Sequence, residues 1–214
     1  MTGPKTIPCT VVCILFIVIS ELRGRDYIAS LLRFYAVCSR AKYVVLLGNT
    51  VSPIIVRELA HSGGYRVLGL PGNLDDVSVV SALKEVGGLL EGRVLELGGY
   101  ACGGIGVLVE QSIERIKNVD KLDILFTFYP GRDNSCEAGS GFKAIDDLVK
   151  RVNPSIVVVG KCRDPCIRGR VVCPGNGFRG YVALLKPGKT GFRASLDNLY
   201  RLLSAKTYAD LGCS

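Results

Sequence analysis

The segment Val157-Val158-Val159-Gly160-Lys161-Cys162-Arg163-Asp164-Pro165 puts an amine, a thiol and a guanidinium in a row after an apolar run. A β-branched run closed by glycine reads as a buried strand ending in a tight turn, with the polar side chains presented at its mouth. Cations so placed suit an anion, and arginine's planar fork matches phosphate oxygens. Cys162 opens a second constellation, Cys162-x3-Cys166, with Cys173 after it and Cys136 before it. Four thiolates are a zinc donor set, but this spacing fits no common zinc knuckle and no histidine joins it. Buried thiols or a disulfide fit the cysteines better. A cysteine nucleophile would lack a histidine base nearby in sequence.

Other chemistry is sparser. The single histidine, His61, falls where a helix should end and reads as a surface residue. Gly98-Gly99 and Gly103-Gly104-Ile105-Gly106 lack the Lys-Ser/Thr of a phosphate loop and do not open a helix after a strand, so they read as backbone geometry. Arg163, Arg168, Arg170, Arg179, Lys186, Lys189 and Arg193, interleaved with Phe178 and Tyr181, make the C-terminal third basic. That pattern suits a nucleic-acid backbone with base stacking, although no named RNA-binding motif accompanies it.

The elements that must position these groups alternate. Apolar runs predict strands at Val11–Ile19, Tyr43–Leu47, Tyr65–Leu70, Arg93–Leu97, Ile124–Phe128, Ile156–Val159, Val171–Cys173 and Tyr181–Leu185. Helices are predicted at Tyr27–Ser39, Pro53–Ser62, Val77–Val86, Gln111–Asn118, Lys143–Val152 and Leu196–Ala205. The alternation is that of an α/β sheet, whose ligands sit at the carboxyl ends of the strands. Gly131–Gly141 is polar and glycine-rich and reads as a mobile loop. The 214 residues show no repeat, linker or composition shift, so one domain over 1–214 is expected.

A net charge of +8 favours anionic partners. Val11–Ile19 follows Lys5 but is too short to span a bilayer, and no Ala-x-Ala pattern follows it. A cytoplasmic protein without a membrane partner is the expectation. Nine cysteines are many for that compartment, where disulfides are common only in hyperthermophiles. Single methionine, glutamine and histidine residues agree with a heat-adapted source.

The strand-end motifs, taken in order, carry a resemblance over about residues 11 to 186. They are Ile19-Ser20-Glu21-Leu22-Arg23-Gly24, Leu47-Gly48-Asn49, Pro71-Gly72-Asn73-Leu74-Asp75, Thr127-Phe128-Tyr129-Pro130, Gly160-Lys161-Cys162-Arg163 and Cys173-Pro174-Gly175. This series resembles that of the calcineurin-like metallophosphoesterases. The resemblance implies a four-layer α-β-β-α sandwich. It also implies that Glu21, Arg23, Asn49, Asn73, Phe128, Lys161 and Arg163 stand where such enzymes hold two divalent metals. Only Asn73 keeps the family's ligand type, and Leu74 stands where many members keep a catalytic histidine.

These replacements set the functional expectations. Two divalent metals against two aspartates leave about +2, and Arg23, Lys161 and Arg163 against Glu21 leave about +2 as well. A pseudoenzyme binding phosphate or a nucleotide through Arg23, Lys161 and Arg163, with no resident cofactor, is the leading reading. A phosphoesterase using manganese, iron, nickel or zinc through Glu21, Asn49 and Asn73 is the alternative, and a basic RNA- or protein-binding module is the third. Drift, with Arg23 or Arg163 simply paired to Glu21 or Asp75, competes with anion binding. The oligomeric state is open.

Overall fold

The computed structural model describes residues 16–61, 63–136, 141–188 and 191–204. Its described elements run β1 (Phe16–Ile19), α1 (Asp26–Cys38), β2 (Tyr43–Leu47), α2 (Pro53–His61), β3 (Arg66–Leu70), α3 (Val77–Glu85), β4 (Val94–Leu97), β5 (Tyr100–Ile105), α4 (Val109–Arg115), β6 (Ile124–Thr127), α5 (Lys143–Val152), β7 (Ile156–Val159), β8 (Cys166–Arg168), β9 (Val171–Cys173), β10 (Tyr181–Gly188) and β11 (Gly191–Asn198). Short 3-10 turns lie at Gly177–Arg179 and Leu199–Leu203. The strands form two sheets, ordered β11-β10-β1-β2-β3 and β4-β5-β6-β7-β9-β8.

Strand alternation builds the layers. Phe16 and Val18 of β1, Val45 and Leu47 of β2, and Ile156 and Val158 of β7 point into one core between the sheets. Their neighbours Ile17, Ile19, Val44 and Leu46 point the other way and are covered by α1, α2 and α3. On the far side, Leu125, Val157 and Val159 pack under α4 and α5. Because each strand is buried on both faces, it reads as a continuous apolar run, and period 2 appears only in which core each residue joins. The result is the expected four-layer α-β-β-α sandwich.

Two sequence expectations need correction. The helix expected over Leu196–Ala205 is absent among its described residues. Leu196–Asn198 continue β11, paired antiparallel with β10 from Tyr181↔Asn198 to Gly188↔Gly191, and Leu199–Leu203 form only a 3-10 turn. Phe192, Ala194 and Leu196 sit on the inter-sheet core at every second residue, so pairing and burial override helical propensity. Second, β5 and β8 lie outside the predicted strands. Gly98 and Gly99 (φ 61° and 87°) form the two-residue hairpin turn that both residues' positive φ permits, so the glycine-rich segment is a hairpin leading into a central strand. The expected loop Gly131–Gly141 is irregular where described, with its first residues tied to α5, and 137–140 lie outside the described residues. The Val11–Leu15 part of the first predicted strand lies outside the described residues.

Asp146 is what organises that segment. Its carboxylate is buried on α5 and accepts the backbone N–H groups of Arg132 (2.8 Å), Asp133 (3.2 Å) and Asn134 (3.0 Å) and the Asn134 side-chain amide (2.8 Å). Burial alone would raise its pKa, but these hydrogen bonds outweigh it and hold the carboxyl below its ordinary value. At the far edge of the other sheet, Lys186 of β10 lies directly opposite Arg193 of β11.

Asp146→Ala is expected to cost about 3 kcal/mol in urea unfolding, the loss of charge-assisted hydrogen bonds to a buried acceptor. A carboxyl depressed in the folded state stabilises above its unfolded pKa, and that share is lost as pH falls through the folded value. Wild-type stability should therefore decline on acidification below about pH 4, and the variant's less steeply.

Candidate functional site

The carboxyl ends of β1, β2, β3, β6 and β7 meet at one edge of the sandwich. Two glycines let the sheets close there. A Cβ at Gly160 would lie 2.4 Å from the Leu47 carbonyl oxygen, and one at Gly48 2.4 Å from the Phe128 ring, where φ is also +80°. The Ser20 hydroxyl donates to the Gly160 carbonyl, tying the end of β1 to the end of β7.

Within this edge four of the expected residues touch. The Asn49 amide Nδ2 donates to Glu21 Oε1 at 2.6 Å and to Asn73 Oδ1 at 3.3 Å, while its Oδ1 accepts the Leu74 N–H at 2.8 Å. Arg23 Nε donates to Glu21 Oε2 at 2.9 Å, and its guanidinium stacks 4.9 Å from the Phe178 ring centroid. Glu21 and Asn49 are buried, Asn73 is exposed, and Arg23 keeps half of its side chain in solvent.

Lys161 and Phe128 adjoin this cluster. Phe128 is fully buried against Gly48, and the Lys161 backbone N–H donates to its carbonyl at 2.7 Å. The exposed Lys161 ammonium lies 5.0 Å from the Tyr129 ring and 5.9 Å from that of Phe128. Arg163 is exposed two residues on, with its backbone carbonyl bonded to Asn176. Its side chain makes no ion pair with Glu21 or Asp75 among the described residues. His61 ends α2 on the surface, its Nδ1 2.8 Å from the Arg57 carbonyl.

The structure gives Asp75 a different role from the cation partner weighed for it in sequence, and it adds Val51, which the sequence did not single out. Asp75 bridges two loops, accepting the Val51 N–H at 2.6 Å and the Gly72 N–H at 2.7 Å. Burial pushes its carboxyl above the ordinary value, against the pull of the N–H groups of Val51, Gly72, Asn49 and Thr50. Glu21 (φ 58°), Arg23 (51°), Asn49 (54°) and Val51 (69°) all adopt left-handed backbone, which L-residues other than asparagine and aspartate resist. Strain of this kind persists where surrounding contacts over-determine it, and it gathers at functional sites. Asn49 is the one readable signal; nothing in the side chain of Val51 announces its conformation.

No protein-family model matches the sequence, and no curated protein matches it. Solved structures do. A protein of Thermus thermophilus superposes with TM-score 0.69 at 14% identity, covering 88% of this chain and 100% of that one. A novel archaeal phosphodiesterase gives 0.54 at 12% identity, covering 86% and 100%. A predicted phosphoesterase of Streptococcus pneumoniae gives 0.51 at 16% identity, covering 89% and 92%. The fold is that of the calcineurin-like phosphoesterases. Among the described residues no helix is long and apolar enough to cross a membrane.

The side chains at this phosphoesterase-fold edge do not fit a divalent metal pair. Both Glu21 oxygens already accept N–H donors, and Asn49 turns its N–H, not its lone pairs, toward Glu21 and Asn73. Arg23, Lys161 and Arg163 carry positive charge and Phe128 carries no donor atom. The thiols of Cys136, Cys162, Cys166 and Cys173 are committed to disulfides, Cys136–Cys166 and Cys162–Cys173, with Cα separations of 6.3 and 6.0 Å. The disulfide reading of these cysteines therefore replaces the zinc one.

Val51→Asn is expected to raise stability by about 1 kcal/mol, because asparagine tolerates the left-handed region that a β-branched side chain resists. The 41%-exposed Val51 side chain gives up little burial in exchange. Chemical denaturation of the two proteins checks this, and an equal or lower midpoint for the variant would refute it.

Proposed function

We propose that this phosphoesterase-fold protein binds a phosphate-bearing small molecule or nucleotide at the strand-end edge and does not hydrolyse it. The carrying observation is the state of the charges. The one buried carboxylate among the replaced ligand positions, Glu21, is ion-paired to Arg23, whereas Lys161 and Arg163, on the turn that follows β7, are exposed and make no ion pair among the described residues. With Asp75 left out of both sums, since the resemblance implies an aspartate there in the enzymes as well, the two excess cations leave the edge near the +2 that two metals against two aspartates would leave. Phosphate held there gains charge-assisted hydrogen bonds without any activated water. The half-exposed Arg23 completes the set from the β1 side.

Drift accounts for the Arg23–Glu21 pair but not for two further unpaired cations at the same edge. The nucleic-acid reading is weaker because several basic groups are engaged: Arg179 pairs with Asp164 at 3.1 Å and Arg170 donates to Asn153 at 2.8 Å. In this reading the protein works in the cytoplasm of a heat-adapted cell, a setting in which intracellular disulfides are common.

Thermal unfolding with phosphate, nucleotides and short RNA at fixed ionic strength tests the proposal. Phosphate or a nucleotide should raise Tm, by up to about 2.7 kcal/mol of stabilisation at a hundredfold excess over Kd. Lys161→Ala and Arg163→Ala should each cut that shift, and Arg193→Ala should cut only a shift given by RNA. Identical responses in wild type and both edge variants would reject the site. In parallel, bis(p-nitrophenyl) phosphate with manganese, nickel or zinc should show no turnover above background. Metal-dependent hydrolysis abolished by Glu21→Ala would instead establish an active phosphoesterase.

A further inference from the structure

The two disulfides at the end of the second sheet are neighbours with a third bond latent between them. Cys166 on β8 and Cys173 on β9 are register partners in the hairpin, yet each is bonded elsewhere, Cys166 to Cys136 and Cys173 to Cys162. Directly opposed residues on antiparallel strands have Cα atoms about 4.5 to 5.5 Å apart, inside the range that disulfides span. Cys166 and Cys173 are thus already placed to bond to each other.

Access to solvent differs between the two bonds. Cys136 and Cys166 are half-buried, whereas Cys162 and Cys173 are buried, at 6% and 1% exposure. A reductant in solution meets the first bond and is shielded from the second. Cys162 lies between Lys161 and Arg163, so the buried bond also fastens their turn to β9.

We propose that these four cysteines form a thiol–disulfide relay whose substrate is a dithiol and whose output is release of Cys162. One thiolate of the dithiol attacks Cys136 sulfur, the Cys136–Cys166 bond breaks, and Cys166 leaves as thiolate. The second dithiol sulfur then displaces Cys136, which leaves as thiolate and takes up a proton, while the dithiol departs as its own disulfide. Two electrons have passed to the protein. The Cys166 thiolate next attacks Cys173 across the hairpin. The Cys166–Cys173 bond forms, the Cys162–Cys173 bond breaks, and Cys162 leaves as thiolate and is protonated. This last exchange moves no net electrons. Attack by a thiolate held against a disulfide sulfur is the ordinary course of such exchange. The relay rests on the cysteines alone and does not depend on the anion reading.

The test is stepwise reduction of the folded protein with dithiothreitol, acid quench, alkylation under denaturing conditions and peptide mapping by mass spectrometry. The free and buried Cys102 labels in every sample and serves as internal standard. Once two electrons have reached these four cysteines, the new label among them should fall on Cys136 and Cys162, with Cys166 linked to Cys173; Cys38, itself disulfide-bonded, is counted separately. Label on Cys136 and Cys166 with Cys162–Cys173 intact would overturn the relay, as would resistance of all four to reduction short of unfolding. Cys136→Ser gives a second reading that needs no reductant. Its unpaired thiol should migrate, so that Cys162 carries several times the label of Cys166. A label confined to Cys166 would refute the exchange.

Discussion

The closeness of the two sheets at their carboxyl edge constrains everything that happens there. At Gly160 the backbone lies against the Leu47 carbonyl with no room for a side chain, and the Ser20 hydroxyl bridges the remaining gap. Loops from both sheets must therefore leave their strands abruptly. Residues 21, 23, 49 and 51 take left-handed backbone on the way out, and the Asp75 carboxylate fixes two of those loops against each other. The arrangement of side chains at the edge follows from how tightly the sheets are drawn together.

The same edge shows how charge can be rebalanced when ligands change. A lone buried Glu21 carboxylate would be costly, and Arg23 and Asn49 meet both of its oxygens. Those contacts commit the carboxylate to structure. Two cations then remain on the solvent side, and the Lys161 ammonium lies within cation–π distance of the Tyr129 and Phe128 rings.

Much of this is legible in the residue order, and for identifiable reasons. Strands buried on both faces leave unbroken apolar runs, so Tyr43–Leu47 and Ile156–Val159 match their predicted bounds to the residue. Glycines forced by close backbone approach, at positions 48 and 160, mark the strand ends, and the layer order follows from the resemblance they carry. What escapes the sequence is set by tertiary context. Leu196 to Asn198 can belong to a helix or a strand, and only the presence of β10 decides it. β5 hides behind Gly103 and Gly104, which weaken a strand signal while permitting close packing. Sequence leaves Arg23 either free for an anion or paired to Glu21 or Asp75, and only the turn around the buried Leu22 brings it onto Glu21.

The facing pair Lys186 and Arg193 bears on behaviour far from the site. Among the described strands β11 is the outermost of its sheet, and such a strand offers its free N–H and C=O groups to any other extended chain. Like charges opposed across the hairpin cost it some stability, but they also set a cationic barrier beside that open edge. Two copies approaching edge to edge would have to bring these cations together. Raised salt weakens such repulsion over distances of about 10 Å and more. Among the described residues, the same pair that slightly loosens the hairpin thus opposes strand-by-strand pairing at this edge, and ionic strength sets how strongly it does so.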